Sequence, residues 1–330
     1  MTSAGTSGSP HLRRALVLGG ALAWSAYQVG ALRHLVAERG IEFDLVAGTG
    51  IGGMNAALVA CGRFDALEAF WKDIGMRKLL RPNLRTPLKE GPFLPRQRRF
   101  VSELVSEEAL RRRGTHLLIS VFDLQSGLAD PLLYPGASVP IVEAVLAAGA
   151  TPGLLPPVHY RERQLAEGSM IDSVPLRPVL DLDVEEIVVV AVRLGPNQDP
   201  VRRYRTWPGV AVRALAMNQS HDVTAGLQVA RERAAAAEAH RRIGGELPER
   251  LAALAGDPET GTRLREAVAD VFARSTYPLR RSRGPVVRAV TPSRDLGYPL
   301  WRFRRRDLEA AMDLGYGDAR AAFETGEEAR

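Results

Sequence analysis

The run Gly48-Thr49-Gly50-Ile51-Gly52 is where residue types and spacing in this 330-residue chain point most directly to chemistry. It lies between two apolar segments, Phe43 to Ala47 and Met54 to Ala60, and so has the small-x-nucleophile-x-small outline of a sharp strand-to-helix elbow. At such an elbow the flanking residues are small because side chains there would clash. The following helix aims its free N–H groups and the positive end of its dipole at the turn. A negative charge developing on a carbonyl oxygen is stabilised there, which is the frame for acyl chemistry. The central residue is Gly50, however, and without a hydroxyl no acyl-enzyme can form at that position. Glycine tolerates positive φ, so the elbow is expected to keep its shape without strain.

An elbow needs a strand behind it and a helix after it. Ala15 to Leu18 is a short buried-strand run, and after Gly19-Gly20 the residues Tyr27, Gly30, Ala31, Leu32, Leu35 and Val36 recur at helical spacing. Phe43 to Ala47, the glycine-rich run and Met54 to Ala60 repeat the strand-loop-helix pattern. Strands are also expected at about His116 to Phe122, Ile187 to Val192 and Val286 to Val290. Helices are expected at about Val139 to Ala148, Val210 to Ala239 and Arg306 to Phe323. This alternation predicts an α/β fold with a mostly parallel central sheet covered by helices. Arg77 to Arg98, and Leu247 to Pro278, which reads as more helix, are candidate lid or cap segments. We read one domain over 12–326 after a flexible Ser/Gly/Thr-rich tail, 1–11.

Composition narrows the function classes. The net charge is +6 with 45% hydrophobic residues, and lysine occurs only at Lys72, Lys78 and Lys89. An arginine-rich solvated surface accounts for this balance, which is also compatible with peripheral contact with anionic headgroups. Arg202-Arg203-Tyr204-Arg205 and Trp301 to Arg306 mix aromatics with cations, but no nucleic-acid fold signature accompanies them, and no nucleic-acid partner is expected. The six histidines show no metal-ligand spacing, so no metal and no cofactor is expected. Cys61 is the only cysteine and reads as a buried small residue, compatible with a reducing cytoplasm, the location expected here. Arg13-Arg14 followed by Ala15 to Leu22 mimics a secretory signal, but cutting there would remove the first core strand, so we reject it. No run approaches the roughly 20 apolar residues of a membrane span. The oligomeric state is not legible.

Four blocks give the chain a resemblance that spans most of its length. They are Leu18-Gly19-Gly20 with Ala26 to Leu32; Gly48 to Gly52 with Asn55-Ala56-Ala57; Ala150 to Val158 leading into Glu167-Gly168-Ser169 and Val174-Pro175; and Gly315-Tyr316 with Asp318-Ala319. In this order they resemble the patatin-like phospholipase family. The resemblance implies a three-layer α/β/α fold and lipid acyl hydrolysis. A serine at the elbow would be activated directly by an aspartate in an Asp-Gly-Gly/Ala turn, and a glycine-rich loop would supply the oxyanion hole. Mapped onto this chain, Gly50 stands for the serine and Glu167 for the aspartate. Ala21-Leu22-Ala23-Trp24-Ser25 stands for most of the loop, leaving Gly19, Gly20, Ala21, Leu22 and Ile51 as the oxyanion set. Coordinated changes at loop, elbow and acid look like natural divergence.

Glu167 is one methylene longer than the aspartate and Gly50 vacates space in front of it. Glu167 is therefore the candidate general base, acting on a water or a substrate proton; its alternative role is to satisfy backbone donors of the Gly50 turn. Ser25 and Thr49 are the nearest hydroxyls in sequence. Thr49 is expected to point away from the site and Ser25 to cap the helix starting near Ala26. Trp24, in place of an arginine, suggests a pocket for a hydrophobic or aromatic ligand, or else a lid over the helix. His159 is near enough in sequence to pair with Glu167 but is expected in an exposed loop, and Asp172 is expected to hold backbone. Three functions stay open. One is a repurposed enzyme carrying out isomerisation, elimination, cyclisation or water-based hydrolysis on a hydrophobic small molecule or lipid acyl group. Another is a non-catalytic pseudoenzyme for binding or regulation, and the last is a lipid acyl hydrolase with a non-standard nucleophile.

Overall fold

Residues 11–74, 80–85, 93–95, 97–170, 172–192, 207–274 and 285–324 are described by a computed structural model. The strands are β1 (Leu12–Leu18), β2 (Leu45–Gly48), β3 (Leu80–Pro82), β4 (Phe93–Pro95), β5 (His116–Asp123), β6 (Leu128–Tyr134), β7 (Val158–Tyr160), β8 (Arg163–Glu167), β9 (Val184–Val190) and β10 (Val286–Val290). The helices are α1 (Ala26–Leu32), α2 (Ile51–Ala60), α3 (Phe64–Asp73), α4 (Arg98–Leu104), α5 (Glu107–Arg113), α6 (Ile141–Ala148), α7 (Leu176–Leu180), α8 (Trp207–Leu254), α9 (Pro258–Arg274) and α10 (Arg305–Glu324).

β1 alternates its contacts with a period of two. Leu16 and Leu18 enter an apolar cluster with residues of α1, α2, α6 and α10, whereas Ala15 and Val17 enter a second with residues of α7 and Ala230 of α8. A strand apolar on both sides requires cover on both sides, which makes the molecule a three-layer α/β/α sandwich. The strand order is β10-β9-β1-β2-β5-β8-β7, with β6 pairing β5. From β10 to β5 every pairing is parallel, whereas β6, β7 and β8 are joined antiparallel. The mostly parallel α/β sheet expected from the sequence is therefore present.

β5, the direct neighbour of the strand that leads into the elbow, does the positioning. β6 runs along β5 from Leu117 to Asp123 on one edge. The other edge is shared: His116 to Ile119 pair with β2, ending at Gly48 opposite Ile119, and Val121 to Asp123 pair with β8, with Glu167 opposite Val121. The end of β8 is thereby set down just beyond the end of β2, where the elbow begins.

Some boundaries differ from expectation. β2 begins at Leu45 rather than Phe43, because the Asp44 carboxylate turns back to accept the N–H groups of Arg13 and Arg14. The helix expected over Val210 to Ala239 is the 48-residue α8, which runs through Gly244, Gly245 and Pro248. A proline inside a helix costs about 3 kcal/mol. Along this stretch α9 folds back on α8, with Arg265 paired to Glu249 and Gly261 against Ala252. Of the lid expected over Arg77 to Arg98, the described part comprises the antiparallel β3–β4 ladder and the start of α4. Residues 77–79, 86–92 and 96 of that segment lie outside the described residues, as do the tail 1–10 and the Arg202 to Arg205 run. Among the described residues no helix is long and apolar enough to cross a membrane, and no cluster of metal-ligating side chains occurs.

Candidate active site

The centre of the elbow is a backbone that only glycine adopts readily. Gly50 has φ 58° and ψ −144° and immediately precedes α2. The N–H of Gly53 reaches the carbonyls of Thr49 and Gly50, both at 3.0 Å. The N–H groups of Ile51 and Gly52 find no acceptor among the described residues. They lie at the positive end of a ten-residue helix, which suits them to hold a developing oxyanion. The Gly19-Gly20 loop presses against this turn, with Gly20 Cα only 3.0 Å from where a Cβ on Gly50 would stand.

Glu167 closes the site from the side of β8. Its Oε1 is 2.7 Å from that same Cβ position, so the carboxyl occupies the room a side chain at the elbow would need. The carboxyl is buried and both oxygens are partnered by hydroxyls. Ser169 Oγ donates to Oε1 at 2.7 Å and Thr151 Oγ1 donates to Oε2. The Glu167 N–H is held by the carbonyl of Ala150 at 3.1 Å. Burial pushes the carboxyl above the ordinary carboxylate range, and the two hydroxyls pull it part of the way back. A carboxyl in that state exchanges protons nearer to neutrality than a surface glutamate does, which is the property of a general acid or base.

The loop between β1 and α1 is built for rigidity. Ala21 and Leu22 lead into a short 3-10 turn, Leu22–Ser25, and Leu22 is held at φ 46°. Gln28 donates to the carbonyl of Gly19 and accepts from Asn55 at 2.9 Å, and Asn55 accepts from Trp71 Nε1 at 2.9 Å. This buried chain ties α1, α2 and α3 to the loop. Ser25 differs from expectation: its backbone is already helical and it makes no capping bond. Its hydroxyl instead accepts the N–H of Ala21 at 3.0 Å, pinning the loop from inside. Trp24 is buried in the core and donates Nε1–H to the carbonyl of Tyr298 at 2.7 Å, while the Tyr298 hydroxyl donates to the carbonyl of Ala23. The side chain read as either a pocket wall or a lid over the helix is thus packed under the segment before α10.

Thr49 gives its hydroxyl to the carbonyl of Ser120 at 3.3 Å. His159 is exposed on β7 and pairs with Gln164, three residues along β8 from Glu167, so strand pairing does not bring it to the carboxyl. The Asp172 N–H closes a turn onto the carbonyl of Gly168 at 2.9 Å. Sequence reasoning missed Thr151, Ser169 and Gln28. The signal for the first two was their place in the family-like blocks around Pro152 and Gly168, which fixes a neighbourhood but not a partner.

The patatin-like phospholipase family model matches residues 16–180, half of the chain. The chain belongs to that family. The match takes in the Gly19-Gly20 loop, the elbow and Glu167. Proteins of Mycobacterium bovis and Mycobacterium tuberculosis, each described as an uncharacterized NTE family protein, are 26% identical over 199 residues, 59% of this chain and 52% of each relative. The chain thus spans about half the length of the curated relatives it matches. A solved structure, VipD from Legionella pneumophila, aligns over 98% of this chain and 69% of that chain, with 13% identity and a TM-score of 0.45.

Proposed function

We propose that this patatin-like protein retains the acyl site of its family but works without an elbow serine, using Glu167 as general base on a hydrophobic acyl or carbonyl substrate. The supporting observation is the coincidence of Glu167 Oε1 with the side-chain space of Gly50, 2.7 Å from the Cβ position. A base there faces any carbonyl whose oxygen is held by the N–H groups of Ile51 and Gly52. It removes a proton from an attacking group or from the carbon beside the carbonyl, giving hydrolysis, isomerisation, elimination or cyclisation. Gly19, Gly20, Ala21 and Leu22 form the wall that fixes the carbonyl. We place the protein in the cytoplasm, a location with which a lone buried Cys61 is compatible. Peripheral contact with a lipid surface is compatible with the substrate class.

The test is Glu167→Gln, which keeps the shape of the carboxyl and removes the base. Turnover of medium-chain p-nitrophenyl esters and of a β-keto acyl thioester is expected to fall by about 100-fold or more. A folded variant with undiminished turnover would remove Glu167 from the mechanism. The burial of Trp24 and its bond to Tyr298 favour a second reading, a non-catalytic binding protein. That protein would bind a fluorescent fatty acid saturably while the wild type turns over neither substrate.

A further inference from the structure

The base at the elbow is bonded to a primary alcohol of its own chain. Ser169 Oγ donates to Glu167 Oε1 at 2.7 Å, and Oε1 is the oxygen that stands at the Gly50 position. One carboxyl oxygen therefore bridges a serine hydroxyl and the elbow. Ser169 lies in the 3-10 turn Gly168–Met170 directly after β8. That turn is pinned by the bond from the Asp172 N–H to the Gly168 carbonyl. It is also pinned by its close packing on Ser120, where the Gly168 Cβ position is 2.5 Å from a carbonyl. Thr151 is less suited to attack, since its hydroxyl is secondary and holds the other oxygen, Oε2. Thr151 also begins a turn whose next three residues are solvent-exposed, so the carboxyl lies one residue in from the surface on that side.

We infer that Ser169 is a transposed nucleophile: the hydroxyl absent from the elbow is supplied by the acid's own turn, for attack on a fatty acyl ester. This rests on the reading of Glu167 as general base. Ser169 Oγ bonds to the acyl carbon as its proton passes to Glu167 Oε1, and the carbonyl oxygen becomes an oxyanion held by the Ile51 and Gly52 N–H groups. The ester C–O bond then breaks, and the departing alcohol takes the proton from Glu167. In the second half, water attacks the Ser169 ester and gives its proton to Glu167. That proton returns to Ser169 Oγ as the carboxylic acid leaves.

The experiment treats the full chain with an alkyl fluorophosphonate and follows p-nitrophenyl octanoate hydrolysis in parallel. A single phosphonyl adduct is expected on the peptide carrying Ser169, and Thr151→Val is expected to leave its position unchanged. Ser169→Ala abolishes the adduct and lowers ester turnover about 100-fold or more, with an unchanged circular dichroism spectrum and melting temperature. No adduct on the wild type, an adduct on another residue, or a folded Ser169→Ala with wild-type turnover overturns the assignment. The adduct map needs no variant, so misfolding of Ser169→Ala leaves the assignment exposed to refutation. If the assignment fails while Glu167→Gln still loses turnover, the base reading stands; if Glu167→Gln turns over normally, both fall.

Discussion

A side chain at position 50 would meet three obstacles at once. The φ 58°, ψ −144° backbone is sparsely populated by other residues and costs of order 1–3 kcal/mol to impose. The new Cβ would sit 2.7 Å from Glu167 Oε1 and 3.0 Å from Gly20 Cα. The glycine and the long acid are therefore complementary, each occupying what the other leaves. Gly50→Ser alone is expected to lower stability by about 1–3 kcal/mol in urea titration. Adding Glu167→Asp withdraws the carboxyl by one methylene, so the double variant should be more stable than the sum of the two single losses predicts. Strict additivity would mean that the two positions do not compete for the same space.

The helices that flank the loop depend on a close crossing. α1 and α10 touch backbone to backbone: a Cβ on Gly30 would stand 1.7 Å from the carbonyl oxygen of Met312, and one on Gly315 2.0 Å from that of Tyr27. Gly30→Ala must push the helices apart and should cost about 1–3 kcal/mol or more in chemical denaturation. Gln28, two residues away, holds the Gly19 carbonyl, so the same shift should loosen the loop. A variant as stable as the parent would show that the crossing yields easily. The parallel half of the sheet could be read from the sequence because its inner strands are buried on both faces and appear as apolar runs such as Ala15 to Leu18. The antiparallel half could not. β6 carries Asp130 and Pro131, and β8 is Arg-Gln-Leu-Ala-Glu, so neither has an apolar run to find.

Across the whole molecule, the buried carboxyl should leave its mark on stability against pH. Burial raises Glu167 above the value it has in the unfolded chain, so the folded state holds that proton more tightly. The associated stability is fully present below the unfolded carboxylate value and is lost as pH rises through the raised folded value. Carboxyls held down by arginines, such as Asp123 beside Arg163 and Glu186 between Arg14 and Arg288, act in the opposite sense but are common to wild type and variant. The unfolding free energy of Glu167→Gln minus that of wild type should therefore grow as pH rises through this window; a difference that stays flat would place the carboxyl in solvent. Of the site, the elbow was legible because its chemistry is local in sequence, five residues between a strand and a helix. Thr151 was not legible as a partner of the acid, because it and Glu167 meet only through the fold. The acid's place beyond the elbow comes from the edge of β5 that β2 and β8 share. Strands slide only by whole residues, and a slide of one turns every side chain to the opposite face. The sheet is thus a ruler with coarse graduations, and within this architecture the reach of the acid is left to vary one carbon at a time, by exchange of the side chain itself.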